Sequence, residues 1–510
     1  MATPLTVFSA FPLLSVLIFW PLVTAALLWL LPPRQARSMA VGAAVVETVL
    51  ACRVVWGIHP EQAGFQWLER ADWIMTVNAH YLLGVDGFSA LFLFLSAVLF
   101  LGMVLASGVR EMPRLYFALL LLLEGITIGI FCALDTLLFF LFWELTLIPI
   151  YFLISLWGVG PQRRFAAAQY TLLMLGGGVV LLFGLLLAAM EQAGLQAGSG
   201  GAILSSVLVF DLPTLLATPL PVDRQLPLFF LLLVGFAVKT PVVPLHVWLP
   251  TLAMEGPVAV VAMMTGLKLG AYGLLRFALP LAPHAAREWS WLLAGLGVVG
   301  IFYGGLAALA QTNLRRLLAF SSISHVGLVL LGLSTLTVQG VQGAMLQLLN
   351  FTMIAGGLFL IAGFIRQRTG STELTHLGGL VRSMPFATTF FLFFGLAGMG
   401  VPLTSGFPAE QLLLLGTLST HAGAALAAIG GQILGAAYFL HYYRRAFLGP
   451  VTNRVVAEAA DLQPREWMVV VLLAIPVLVA GLYPQGGMHF LQMPAAEWIA
   501  HFSGVVPLLP

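Results

Sequence analysis

The stretch GFAVKTPVVPLHVWLP, Gly235 to Pro250, decides how this chain is read. It continues the apolar run LPLFFLLLVGFAV, which has the composition of a membrane helix, and then places Lys239 ahead of Pro241, Pro244 and Pro250. Proline removes a backbone N–H and clashes with the preceding turn, so the helix has to break there. An isolated charge at the bilayer centre costs roughly 2.5–3.5 kcal/mol on insertion scales. A membrane helix that carries a charge and then breaks therefore needs a physical reason.

Working outward, the 510 residues are 60% hydrophobic and 8% charged, with a mean hydropathy of +1.01. A soluble domain carries about 25% charged residues, so this composition points to a polytopic membrane protein. About 20 apolar residues cross a bilayer, and on that measure about fourteen spans are expected. Their centres fall near Ile18, Val46, Ala97, Leu121, Leu147, Leu181, Leu232, Leu267, Val298, Leu328, Phe359, Leu392, Leu434 and Leu473. The first apolar run, Phe8 to Leu31, lacks a basic leader and a small-residue cleavage site, so a retained span is expected. No soluble domain is expected. His59 to Tyr81 and Gln192 to Leu226 read as loops or short hairpins, and Pro450 to Glu466 as a connector with room for a short amphipathic piece. Cys52 and Cys132 lie in apolar runs and suggest packing, with neither a disulfide framework nor a metal site. A net charge of +2 without a basic block implies no nucleic-acid partner.

The arginines set an orientation. Arg34, Arg37, Arg110, Arg114, Arg163, Arg164, Arg315, Arg316, Arg366, Arg368, Arg382, Arg444, Arg445, Arg454 and Arg465 fall in alternate loops, while the opposite loops hold only Arg70, Arg224 and Arg287. Arg53 and Arg276 sit within or at the edge of spans. The positive-inside rule then puts the arginine-rich loops in the cytoplasm and both termini outside.

A second interruption, GMGVPLTSGFPAEQ at Gly398 to Gln411, repeats the layout of the first. It carries Pro402 and Pro408 with Glu410 beside them, as the first carries Pro241 and Pro244 with Lys239. Paired broken helices point to an inverted-repeat transporter, against the alternative of two unrelated proline kinks. The only lysines, Lys239 and Lys268, both fall in spans. Lysine can give up its proton inside a protein and arginine cannot, so the division of arginine in loops and lysine in spans is itself informative. Glu144 sits mid-span, and an ion pair with a lysine across helices would be a buried, switchable contact. His325, among Ser321, Ser322 and Ser324, adds a titratable group, with a hydrogen-bonded core histidine as the plainer reading. Glu144, Lys239, Lys268, His325 and Glu410 then form an expected intramembrane proton relay. Carbonyls freed at the first break, with Thr240, would hydrate Lys239. Glu47, which shares its helix with Arg53, and Glu124 are weaker candidates, and Asp135 reads as a helix cap.

Four blocks carry a resemblance: WELTLIPIYFLISLWG (Trp143–Gly158), FAVKTPVVPLHVWLP (Phe236–Pro250), GLKLGAYGLLRFALPL (Gly266–Leu281) and QTNLRRLLAFSSISHVGLVLLG (Gln311–Gly332). Together they resemble the antiporter-like membrane subunits of respiratory complex I, nearest the subunit M type of bacterial NADH-quinone oxidoreductase, from about Leu83 to Pro484. The resemblance implies an all-α membrane protein of about fourteen helices with two inverted five-helix repeats and a broken helix in each. On this division of 1–510, N-terminal helices occupy 1–113, the repeats 114–282 and 288–448, and a connector with the last helix 449–510. It implies that Glu144 and Lys239 form an ion pair, that Lys268 is the central lysine, His325 the linking histidine and Glu410 the acid beside the second break. It implies no redox cofactor in this chain, with flavin, iron–sulfur clusters and quinone in partner subunits. Other membrane subunits are the expected partners, and a bacterial inner membrane the expected location.

The sequence departs from the family where LPTLAMEGPVAVVAMM replaces the usual Leu-Pro-Asp-Ala-His run, leaving Glu255 as the nearby acid. Asn350 stands where the family carries histidine, and the second break reads GVPLTSGF. The expected function is proton translocation driven by redox chemistry elsewhere in a complex. The alternatives are a non-redox ion-coupled subunit, such as a sodium/proton antiporter or inorganic-carbon uptake component, and a membrane scaffold whose charges no longer conduct.

Overall fold

The computed structural model describes residues 11–197, 208–451 and 453–503. The chain opens on α1 (Leu13–Leu27) and α2 (Ala36–Trp56), followed by an antiparallel hairpin of β1 (Gln66–Ile74) and β2 (Ala79–Val85). The interval expected to be a loop or hairpin is thus a hairpin. Its Glu69 accepts the first free amides of α1, from Leu14 at 2.7 Å and Ser15 at 3.0 Å, which ties strand to helix.

Next come α3 (Gly87–Ala106), α4 (Pro113–Cys132), α5 (Thr136–Leu145), α6 (Leu147–Trp157), the long α7 (Arg163–Ala197) and the short α8 (Leu212–Ala217). Asp135 caps α5 as expected, accepting from Leu137 N at 2.9 Å and Leu138 N at 3.0 Å, and its other oxygen accepts from His80 N at 2.9 Å. The first break lies between α9 (Val222–Lys239) and α10 (Trp248–Glu255), with Pro241 and Pro244 inside it. Then α11 (Val258–Gly266) gives way to α12 (Leu269–Gly273), a five-residue π segment (Leu274–Ala278), α13 (Leu279–Leu281) and α14 (Pro283–Glu288).

The second half comprises α15 (Ser290–Leu309), α16 (Leu314–Ser334), α17 (Val338–Thr369), α18 (Leu380–Ser383), α19 (Pro385–Gly398), α20 (Gly406–Thr420), α21 (Ala422–Ala446), α22 (Arg454–Ala457), α23 (Pro464–Leu482) and α24 (Pro484–Ser503). The second break separates α19 from α20 and holds Pro402. Pro408 lies instead in the first turn of α20, where a missing N–H breaks no helical bond.

Among the described residues twelve helices are long and apolar enough to cross a membrane. The broken pieces α9 and α19 fall outside that set, α19 because it is short. Every expected span centre but one lies in a helix. The exception, Leu267, marks an interruption between α11 and α12 that no proline announces. Helix α24 was not expected either; it packs against α3, α14, α17 and α23. The middle of the molecule is α16 and α17, buried along nearly their whole length. Helix α15 lies close along α16, because a Cβ at Gly304 would stand 2.6 Å from Ser324 N and one at Gly327 2.5 Å from Gly297 O. Outer helices present Val49, Leu172, Leu426, Ile433 and Leu482 outward, the apolar surface that acyl chains would cover.

Candidate functional site

Each side chain of the expected relay stands at or beside a helix interruption. Lys239 is the last residue of α9, and its ammonium donates to Thr146 Oγ1 at 2.9 Å and Trp143 O at 3.3 Å. It also lies 3.9 Å from the centre of the Trp143 ring, an attraction worth about 2 kcal/mol once water is excluded.

The expected ion pair with Glu144 is not made. The carboxylate has no lysine nitrogen within 4.0 Å and no hydrogen-bond partner among the described residues, although its oxygens are buried. Helix phase gives the reason. Trp143 and Thr146 share the face of α5 and its continuation that meets α9, while Glu144, one residue on from Trp143, is turned toward α7. There Gly178 makes room, since a Cβ at that position would lie 1.9 Å from Glu144 Oε1. The neighbouring Gly177 receives Val238, so a glycine pair on α7 accommodates both the acid and the helix that carries the lysine.

Lys268 occupies the interruption between α11 and α12 with φ 44° and ψ 45°. A non-glycine residue in this left-handed region costs roughly 1–2 kcal/mol and persists where surrounding contacts over-determine it. The bend turns the ammonium back onto Thr265 O, a carbonyl left free at the end of α11, and onto Ser322 Oγ of α16. The Phe351 ring lies 5.1 Å away. Helix α12 begins against the first break, where a Cβ at Gly270 would meet Thr240 Oγ1 at 2.3 Å. The two lysine-bearing interruptions are therefore packed on one another.

His325 stands one turn beyond Ser322 on α16. Its Nδ1 faces Ser321 O at 2.8 Å and its Nε2 faces Gly398 O, at the lip of the second break, at 2.9 Å. A neutral imidazole has one N–H, so the ring in that form donates to only one of the two carbonyls, and its tautomer sets which. The same ring borders two cavities. One is a gap too narrow for water, shared with Lys268, Gln347 and Phe351; the other, of about 20 Å³, is bounded by Ser321, Gly398, Met399 and Tyr438. Beyond the break, Glu410 lies buried in α20 and accepts from Gln432 Nε2 of α21 at 2.9 Å. Gly400, with φ +66°, leaves room for the same oxygen, because a Cβ there would lie 2.0 Å from Oε2. Asn350 donates to Ser405 O at 2.5 Å and so ties α17 to the break.

Other candidates go elsewhere. Glu255 takes loop amides, accepting Gln162 N at 2.7 Å through its carboxylate and Val159 N at 2.7 Å through its carbonyl. Glu47 and Glu124 are buried within the packing of α1, α2 and α4, their oxygens unpartnered among the described residues, and Arg53 lies over Trp67 instead. Arg315 is no loop residue. It is 1% exposed and donates to Gly256 O at 2.6 Å and Met254 O at 3.2 Å, closing the end of α10.

Comparison with known proteins covers the same ground. The family model described as NADH:quinone oxidoreductase/Mrp antiporter, TM, matches residues 133–435. The chain belongs to this family. Among curated relatives, NADH-quinone oxidoreductase subunit M of Rhodobacter capsulatus is 38% identical over 486 residues, 92% of this chain and 93% of that one. An NAD(P)H-quinone oxidoreductase chain 4 of Synechococcus sp. (strain JA-3-3Ab) is 38% identical over 490 residues, 93% and 90% of the two chains. A chain of respiratory complex I from Thermus thermophilus superposes with a TM-score of 0.85 at 32% identity, over 95% of this chain and 99% of its own. The NADH:quinone oxidoreductase/Mrp antiporter match takes in Glu144, Lys239, Lys268, His325 and Glu410, both proline-marked breaks and the interruption at Lys268. Sequence reasoning set Ser322 beside His325 and not against Lys268, and it missed Gln432 and the Gly176–Gly178 run. That run was visible as GGG inside an apolar helix, whereas Gln432 carried no local signal.

Proposed function

We propose that this chain is the M-type (chain 4) membrane subunit of a complex I-type NADH-quinone oxidoreductase. In this reading it translocates protons through Glu144, Lys239, Lys268, His325 and Glu410. The observation that carries it is the setting of Lys268: an ammonium inside an apolar helical body, held at a helix interruption by a carbonyl and a hydroxyl and, among the described residues, by no acid. Loss of its proton leaves a neutral amine in a neutral site, so the proton can depart without stranding a buried anion. On one side, Thr240 and Gly270 bring the Lys239 break against the Lys268 helix; on the other, Ser322 and His325 lead along α16 to the second break. The relatives' names, subunit M and chain 4 of quinone oxidoreductases, support the same reading.

In this reading the redox groups, flavin, iron–sulfur clusters and quinone, reside in partner subunits, and this chain contacts other membrane subunits and lipid. It sits in a bacterial cytoplasmic membrane with its arginine-rich loops inside and both termini outside. Its two halves, 114–282 and 288–448, act as inverted repeats around the central lysine.

The test is Lys268→Ala in the assembled complex. Assembly and NADH oxidation are expected to be retained in part, while proton uptake per electron falls. An unchanged ratio would sink the relay. Purification from native membranes with mass spectrometry checks the host. Redox subunits are expected to accompany the chain, and their absence would move it to the ion-coupled alternative.

A further inference from the structure

Eight residues beyond Lys268 lies Arg276, inside the π segment, and its guanidinium is buried against Asp86. The two make a fork: Nη1 donates to Asp86 Oδ2 and Nη2 to Asp86 Oδ1, both at 2.8 Å. Asp86 is itself immobilised as the cap of α3, accepting Ser89 N and Ser89 Oγ, each at 2.8 Å. Arg276 Nε donates to Tyr272 OH at 3.4 Å, and the guanidinium lies 5.2 Å from the Phe65 ring and 5.6 Å from that of Tyr272.

A second tie holds the same segment. In the π pattern the N–H of Leu279 goes to Leu274 O, so the following carbonyl, Leu275 O, would look to residue 280. That residue is Pro280, which has no N–H to give. The orphaned carbonyl is met instead by the indole of Trp498, from α24, at 2.7 Å. A proline in one element has created an acceptor that a tryptophan at the far end of the chain satisfies.

Between these ties and Lys268 stand only α12 and the start of the π segment, about two turns of helix. Such a short unit moves as one piece, and its free end is the left-handed bend at Lys268. We propose that Arg276, through its fork on Asp86 and with Trp498 on Leu275 O, is a positioning residue that sets the aim of the Lys268 ammonium at Ser322. The inference rests on the role given to Lys268 above. It assigns to a buried ion pair, eight residues away and remote in chemistry, the task of holding the central lysine's backbone in its strained conformation.

The experiment compares intact complexes carrying Asp86→Asn with Arg276→Gln, Arg276→Lys alone, or Trp498→Phe, with Lys268→Ala alongside. The double variant removes both charges and leaves a polar amide at each position, and Trp498→Phe removes the N–H while keeping an aromatic ring. The readout is protons taken up per electron in membrane vesicles, normalised to assembled complex. A misplacement of about 1 Å can cost about 100-fold in a positioned reaction, so a fall of at least about tenfold in this chain's share of translocation is expected for the double variant. Arg276→Lys, which keeps the charge and a donor, is expected to restore part of it, and Trp498→Phe to fall between. Should the double variant fail to assemble, Trp498→Phe decides, because it disturbs no charge. Normal translocation in the assembled double variant, or in Trp498→Phe where that variant decides, overturns the positioning role. Normal translocation in Lys268→Ala overturns the relay itself, and the two failures are thereby distinguished.

Discussion

At the scale of single residues, the site is governed by which oxygen a buried charge finds. Both lysines settle on neutral oxygens: Lys239 on Thr146 and the Trp143 carbonyl, Lys268 on Ser322 and the Thr265 carbonyl. Both acids rest in notches left by glycine, Glu144 at Gly178 and Glu410 at Gly400. Gly178→Ala is expected to fold, because the new Cβ meets only the movable end of Glu144, and to turn that carboxyl toward Lys239 or away from both helices. Infrared difference spectroscopy of the carboxyl band and proton uptake per electron check this; an unmoved band with normal uptake would refute it. The absent Glu144–Lys239 contact was not legible in the sequence. The spacing of Trp143, Glu144 and Thr146 gives their relative phase, but which phase faces α9 is decided by the packing of α5 between α7 and α9.

At the scale of elements, helix ends matter more than helices. The proline-marked breaks after Lys239 and after Gly398 were legible because proline forbids the continuing bond. The interruption at Lys268 was not, since LKLGAYG contains no proline and the strain at Lys268 comes from tertiary contacts. Pro408 misled for the opposite reason: a proline in the first turn of a helix breaks nothing. The Asp135 cap was legible from residue type and place, though its third donor, His80 N from β2, was not. Asp135→Ala should cost about 0.5–2 kcal/mol from the lost cap. It should add the exposure of the hairpin's amide, so the complex is expected to melt at a lower temperature in detergent, with Asp135→Asn closer to wild type. Equal melting of Asp135→Ala and wild type would show the cap to be dispensable.

For the whole molecule, composition alone was enough to read a polytopic helical membrane protein, and the order of the four blocks placed it in its family. What composition could not show is how the halves are joined. Arg315, counted among the loop arginines, is buried where α16 begins and closes α10 through two backbone carbonyls. Hydrogen bonds to charged groups contribute about 1.5–3 kcal/mol each. Arg315→Met is therefore expected to lower the yield of assembled complex, with Arg315→Lys intermediate, as read by native gel electrophoresis. Wild-type yield for Arg315→Met would mean that the end of α10 needs no tie. Helix α24 escaped notice because its apolar content is modest and two of its partners, α3 and the π segment, lie hundreds of residues upstream.

The glycine notches carry a consequence for descent. Where an acid fills the volume that a methyl group would take, the two positions cannot drift independently. A lineage that placed alanine at 178 first would disturb the seat of Glu144, whereas one that lost the acid first would meet no such obstacle; at 400 the positive φ resists alanine in either order. Relatives that have abandoned Glu144 are thus expected to be the ones in which the glycine at 178 has been replaced, and the order of these losses along a tree of descent should run from acid to glycine, while the glycine at 400 is expected to outlast its acid.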